Sequence, residues 1–201
     1  MTVLAIFGAS GNVGLEVTKK ALAQGFKVRA LLRDPSKMPE ELRTQVAIEQ
    51  GDATKADDVK RTVEGSDAVV VALGTRNDLS PTTAMSDGMK NIISAMKCLQ
   101  VDMVSVCLSA FLFFEDDKVP AVFRNVNADH KRMFDALKAS GLKWIAVLPP
   151  HISDNPSSKY TVKEDASPGR QISKEDLGAF LVESLSKPEY YNKVLGIATN
   201  T

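Results

Sequence analysis

The sequence predicts an α/β fold, a doubly wound parallel sheet with helices on both faces, in one domain spanning residues 1–201. Three observations predict it. Short β-rich apolar runs alternate with longer segments of helical period, as in successive β-α-β units. The apolar runs are continuous, as in strands covered on both faces. A glycine-rich turn, Gly8-Ala9-Ser10-Gly11-Asn12-Val13-Gly14, joins the first run to the first helical segment.

Strands are expected at 3–7, 28–32, 46–49, 68–73, 103–107 and 144–148. Between them, Val13, Val17, Ala21 and Leu22 share one helical face, and Ile92, Ile93, Met96 and Leu99 another, so each helix can cover the sheet. Pro81 suits the first position of a helix over 82–97, and Ser173 with Asp176 forms a capping box before the apolar run 177–185. The polar stretch 151–170, rich in Ser, Asp and Asn, reads as a long loop beside the active site.

Composition narrows the function. Twenty-five basic residues balance twenty-five acidic ones, which argues against a nucleic-acid or anionic-membrane partner and for a small-molecule ligand. The first residues read as a strand without a basic leader region, and no window approaches the roughly 20 apolar residues of a membrane span. Cys98 and Cys107 form neither a metal pattern nor a disulfide framework, so no metal is expected and both thiols are expected reduced in a soluble, cytoplasmic protein.

Gly8-x-x-Gly11-x-x-Gly14 follows a strand and opens a helix, the context of a dinucleotide-binding turn in a Rossmann-like fold. Glycine there permits a tight turn and close backbone approach, and the helix N-terminus offers N–H groups and a positive dipole end to a pyrophosphate. The second strand ends Leu32-Arg33-Asp34, where an acid binds the ribose hydroxyls of NAD and an arginine the 2′-phosphate of NADP. Arg33 comes first and Lys37 adds charge four residues later, so NADPH is expected over NADH. Asp52 and Gly74, just past the third and fourth strands, continue the groove, with Asp52 a candidate acceptor for the adenine amino group.

The reacting end is expected beyond strands five and six. Ser109 is positioned there to hydrogen-bond a carboxamide or a substrate heteroatom, and Phe111, Phe113, Phe114 and Phe123 form an aromatic stretch suited to a planar substrate. His130 and His151, the only histidines, both fall near the pocket mouth. Many short-chain reductases carry a Tyr-x-x-x-Lys pair on the helix after the fifth strand. Here Tyr160, Tyr190 and Tyr191 all lie later, and none precedes a lysine by four positions. Three readings stay open on the residues alone: a reductase acting on a conjugated acceptor, a non-catalytic NADP-binding sensor, and an epimerase or ketone reductase.

The segments 5–11, 32–34, Gly74-Thr75-Arg76-Asn77-Asp78-Leu79-Ser80-Pro81-Thr82-Thr83, Ser109-Ala110-Phe111-Leu112 and Pro149-Pro150-His151-Ile152 closely resemble the biliverdin-IXβ reductases, also described as NADPH-dependent flavin reductases, an atypical short-chain dehydrogenase family. The resemblance covers nearly the whole chain. It implies a monomeric cytoplasmic enzyme of heme catabolism that passes hydride from NADPH to flavins (FMN, FAD, riboflavin), to biliverdin (IXβ preferred) and to some quinones. It further implies that Gly8, Ser10, Gly11, Asn12, Val13, Gly14, Arg33, Lys37, Asp52, Ala53, Leu73, Gly74 and Arg76 line the cofactor site. By the same resemblance Ser109, the catalytic candidate, with Phe111, Phe123, His130 and His151, borders the substrate, both histidines also approaching the cofactor. The chain departs from that pattern in several places: Ser10 and Lys37 replace threonine and arginine, Phe114 replaces tryptophan, Val122 stands where an arginine can lie over the site, and Ser184 replaces a cysteine that pairs functionally with Cys107 in nitrosyl transfer.

Overall fold

Leu4 and Ile6 of the first strand pack into one apolar core and Ala5 and Phe7 into another, so the sheet is buried on both faces from its centre outward. The computed structural model describes residues 2–200; Met1 and Thr201, the ends of the expected domain, lie outside the described residues. The chain runs β1 (Val3–Phe7), α1 (Asn12–Ala23), β2 (Lys27–Leu32), α2 (Glu40–Arg43), β3 (Ala47–Gln50), α3 (Ala56–Val63), β4 (Ala68–Val71), α4 (Ala84–Cys98) and β5 (Met103–Cys107). It continues with α5 (Arg124–Lys138), β6 (Lys143–Leu148), β7 (His151–Ser153), β8 (Tyr160–Glu164), β9 (Gln171–Ser173), α6 (Lys174–Glu183) and β10 (Lys193–Thr199).

Eight strands form one sheet in the order β3-β2-β1-β4-β5-β6-β10-β8, parallel except for β8 against β10. This is the expected doubly wound α/β fold. Helices α1 and α6 cover one face through Val17, Ala21, Leu177 and Phe180; α3, α4 and α5 cover the other through Val59, Ile92, Met96 and Met133. The strand order reverses between β1 and β4, which opens a crevice at their carboxyl ends, where ligands bind in open α/β sheets.

Four sequence expectations need correction. The stretch 151–170 is not one long loop: it contains β7 and β8, and β8 pairs with β10, a strand that sequence reading also missed. Both are held by non-local pairing at the sheet edge, which local polarity does not reveal. The helix expected from residue 82 starts at Ala84, with Pro81 before it. Its first amides are taken by a side chain from another helix: Asp129 Oδ2 on α5 accepts from Met85 N–H at 3.0 Å and Ser86 N–H at 3.4 Å.

The Ser173–Asp176 capping box is only half formed. The Ser173 hydroxyl accepts from Glu175 N–H at 3.2 Å, but the Asp176 carboxylate turns away to accept from the Ser157 hydroxyl and the Ser158 N–H. Asp176 thereby ties the 157–158 segment to α6. The strand expected over 68–73 ends at Val71, which leaves Leu73 and Gly74 in the crevice wall.

Candidate functional site

A cleft of about 1000 Å³ runs along the carboxyl edge of the sheet. Its floor is the glycine turn. Gly8 has φ +85°, and a Cβ there would strike the Ala72 carbonyl; a Cβ at Gly14 would strike the Gly8 carbonyl. The turn closes with Gly11 N–H donating to Gly8 O at 2.9 Å, and α1 starts at once with no side-chain cap. Its first-turn N–H groups are therefore left for a ligand.

Gly74 tests whether a large group fits. A Cβ at Gly74 would meet no atom within 4 Å, so protein packing does not require glycine there, although the residue lines the cleft. The adjoining Arg76 and Asn77 are both left-handed, at φ +54° and +68°, strain of the kind that collects at ligand-binding loops. This conformation brings the Arg76 guanidinium to donate to Ser10 Oγ at 3.1 Å, bridging the loop after β4 to the glycine turn.

At the β2 end, Arg33 and Lys37 border the cleft, and neither forms an ion pair among the described residues. Asp34 is otherwise engaged. Hydrogen bonds from the Ser36 hydroxyl and then its backbone N–H hold the Asp34 carboxyl below the usual carboxylate range, helped by Lys37 and Arg76. Asp52 Oδ1 accepts from the Thr54 N–H at 2.8 Å and the Thr54 hydroxyl at 2.9 Å, and its pKa is lowered mainly by the first of these.

At the β5 end, Ser109 begins the 3₁₀ turn Ala110–Phe113, and its Oγ accepts from Phe111 N–H at 3.2 Å. The hydroxyl proton is not used in that bond. Phe111 and Phe123 stack at 5.2 Å with an interplanar angle of 28°, and Phe114 leans on Phe111 at 6.2 Å. Phe113 does not join them; it packs into the core beside α4 and α5. Val122, Phe114 and Phe123 are exposed, and Phe123 lines the cleft.

Burial pushes the His130 imidazole down to about 4 despite the neighbouring Asp129, so it is neutral at pH 7. His151 is exposed, at the start of β7. Cys107 reaches the cleft wall, but burial pushes its thiol up to about 12, so it is not a reactive thiolate near neutrality. Ser184 lies behind it in the sheet core, its hydroxyl 3.3 Å from that of Ser105.

The cleft thus gathers Gly8, Ser10, Gly11, Asn12, Val13, Arg33, Lys37, Asp52, Ala53, Leu73, Gly74, Arg76, Ser109, Phe111, Phe123, His130 and His151 on one surface. Gly14 is not on it, sitting inside the turn against Gly8, and Phe113 and Phe114 of the expected aromatic stretch are off it as well. Sequence reading missed Thr54, Asn77 and Asn127, which share that surface. Asn127 had one available signal, its position three residues before His130 on a helical face.

A family model described as NAD(P)H-binding matches residues 8–188. The chain belongs to this NAD(P)H-binding family. Solved structures share its fold. A Rossmann-fold NAD(P)-binding family protein from Shigella flexneri superposes with a TM-score of 0.80 at 24% identity, covering 99% of this chain and 94% of that one. An oxidoreductase from Lactococcus lactis gives a TM-score of 0.85 at 15% identity over 100% and 92% of the two chains. A short-chain dehydrogenase/reductase from Veillonella parvula, in complex with NADP, gives 0.78 at 15% identity over 98% and 94%. Family membership and the glycine turn make the cleft the candidate nicotinamide-dinucleotide site, and among the described residues no helix is long and apolar enough to cross a membrane.

Proposed function

We propose that the protein is an NADPH-dependent reductase acting on flavins and on biliverdin, the IXβ isomer preferred, as a cytoplasmic monomer. The observation that carries this reading is the polarity of one continuous cleft: cationic at Arg33, Lys37 and Arg76, aromatic at Phe111 and Phe123, with the glycine turn between. The Veillonella parvula relative bound to NADP supports the choice of cofactor.

When bound, NADPH supplies hydride to an acceptor held against its nicotinamide ring. The chain's own residues bind and orient. The Gly8–Gly14 turn holds the pyrophosphate, Arg33 and Lys37 the 2′-phosphate, and the unused Ser109 hydroxyl proton orients the carboxamide. Phe111 and Phe123 offer an apolar face to a planar acceptor. Among the described residues no tyrosine lines the cleft and His130 is uncharged, which suits a conjugated acceptor protonated by solvent.

The test is NADPH consumption with and without FMN, followed by the absorbance of the reduced nicotinamide. Acceleration by FMN and by biliverdin-IXβ is expected. Tight NADPH binding with no acceleration by any flavin or bilin would instead assign the chain to non-catalytic NADP sensing.

A further inference from the structure

Two buried polar atoms in the cleft wall have no hydrogen-bond partner among the described residues: Asn127 Oδ1 and His130 Nδ1, one turn apart on α5. Asn127 is only 6% exposed. Native structures leave few such groups unpaired, because burial without a partner forfeits the bonds made to water. Neither atom joins α5 to its neighbour; Asp129 does that, accepting from Met85 and Ser86 of α4. Asn127 and His130 instead share the cleft surface with Phe123 and Val126. On the helix where many short-chain reductases carry tyrosine and lysine, this chain presents an amide and an imidazole.

We propose that Asn127, flanked by His130, is the specificity residue for the acceptor, its carboxamide pairing with the N–H–C=O edge shared by the imide of a flavin and the lactam of a bilin. A carboxamide sets a carbonyl acceptor and an N–H donor side by side, complementary to a cis-amide edge. Asparagine reads adenine through the same two-point logic. The terminal torsion of asparagine is soft, so a turn about it presents both atoms to the cleft. A ring stacked against Phe111 and Phe123 offers its edges, not its faces, to the wall formed by α5. The uncharged His130 leaves that wall without a cation to favour an anionic acceptor over a neutral ring edge.

This inference rests on the flavin and bilin reading, and the measurements separate the two. In the wild type, kcat/KM with NADPH is expected to favour FMN over N3-methyl-FMN, whose edge N–H is replaced by a methyl, by about tenfold. In Asn127→Ala that ratio falls to about one while NADPH affinity is unchanged. Asn127→Asp keeps the size and the acceptor but loses the donor, and is expected to retain part of the preference. Binding of lumichrome against N3-methyl-lumichrome to the NADP-loaded wild type, read by fluorescence, needs neither turnover nor a variant. Equal binding of those two ligands overturns the inference, as does an Asn127→Ala protein that loses both flavins in proportion or loses NADPH affinity. Failure of the wild type to reduce any flavin overturns the reductase reading, while the lumichrome comparison still decides the role of Asn127.

Discussion

Asp34 Oδ1 accepts two hydrogen bonds from Ser36, from its backbone N–H at 3.0 Å and its hydroxyl at 2.6 Å. The carboxylate at the end of β2 is thereby committed to the Pro35–Lys37 turn, and Arg33 is left to face a ligand. Arg33→Ala is expected to weaken NADPH binding by about tenfold or more and NADH binding far less, because it removes a charge-assisted phosphate contact. Ser36→Ala removes the hydroxyl bond to Asp34 while keeping the backbone one, which loosens the carboxylate toward ribose hydroxyls and should raise the affinity for NADH relative to NADPH modestly. Dissociation constants for both nucleotides check the pair.

Ser109 accepts one hydrogen bond from Phe111 N–H and keeps its own proton. Ser109→Ala is expected to lower the single-turnover rate of FMN reduction by about tenfold through loss of one orienting donor. NADPH affinity changes little. Unchanged steady-state and single-turnover rates would remove Ser109 from the mechanism and leave it a cap on the 110–113 turn.

Asp129 is fully buried, paired with Arg132 at 3.1 Å and capping the first amides of α4. Asp129→Ala leaves those buried amides without their acceptor and the Arg132 guanidinium with only the Thr82 carbonyl, at a cost of about 3 kcal/mol. Urea unfolding should register this as a lower midpoint at unchanged slope. A loss no larger than that of an exposed substitution would contradict the capping role.

His130 titrates at about 4 in the folded protein against 6.5 for an ordinary histidine, so between those values the unfolded chain binds the extra proton. Stability therefore rises with pH across that interval and is lost as pH falls from 6.5 toward 4. Because the ring is partly exposed at the cleft, the change is on the order of 2 kcal/mol, smaller than the full shift implies. His130→Gln should flatten the dependence there. The carboxyls of Asp34, Asp52, Asp58, Asp78, Asp87 and Asp154 are also lowered by their hydrogen bonds and add to the loss at the acid end in both proteins, so the difference between wild type and His130→Gln isolates the imidazole.

The central sheet was legible because β1, β2, β4, β5 and β6 are short apolar runs whose neighbours in space follow the β-α-β rule. The edge was not. β8 is polar and becomes a strand only by pairing with β10, which lies beyond α6 in the chain and is itself held between β6 and β8. The cofactor end of the site was legible for the same local reason: a glycine turn and the residues closing β2 carry their chemistry wherever the fold places them.

The acceptor end depended on packing. That Phe111 and Phe123 stack while Phe113 turns into the core, and that Asn127 and His130 reach the cleft wall while Asp129 reaches α4, are decided by which way α5 and the 110–123 segment settle on the sheet. Taken alone, the chain specifies a parallel α/β sheet and a dinucleotide turn, because apolar period and glycine stereochemistry act within a few residues. The tertiary structure decided which polar groups are spent on the fold and which are left for a ligand, because hydrogen-bond partners are distributed only when distant segments meet.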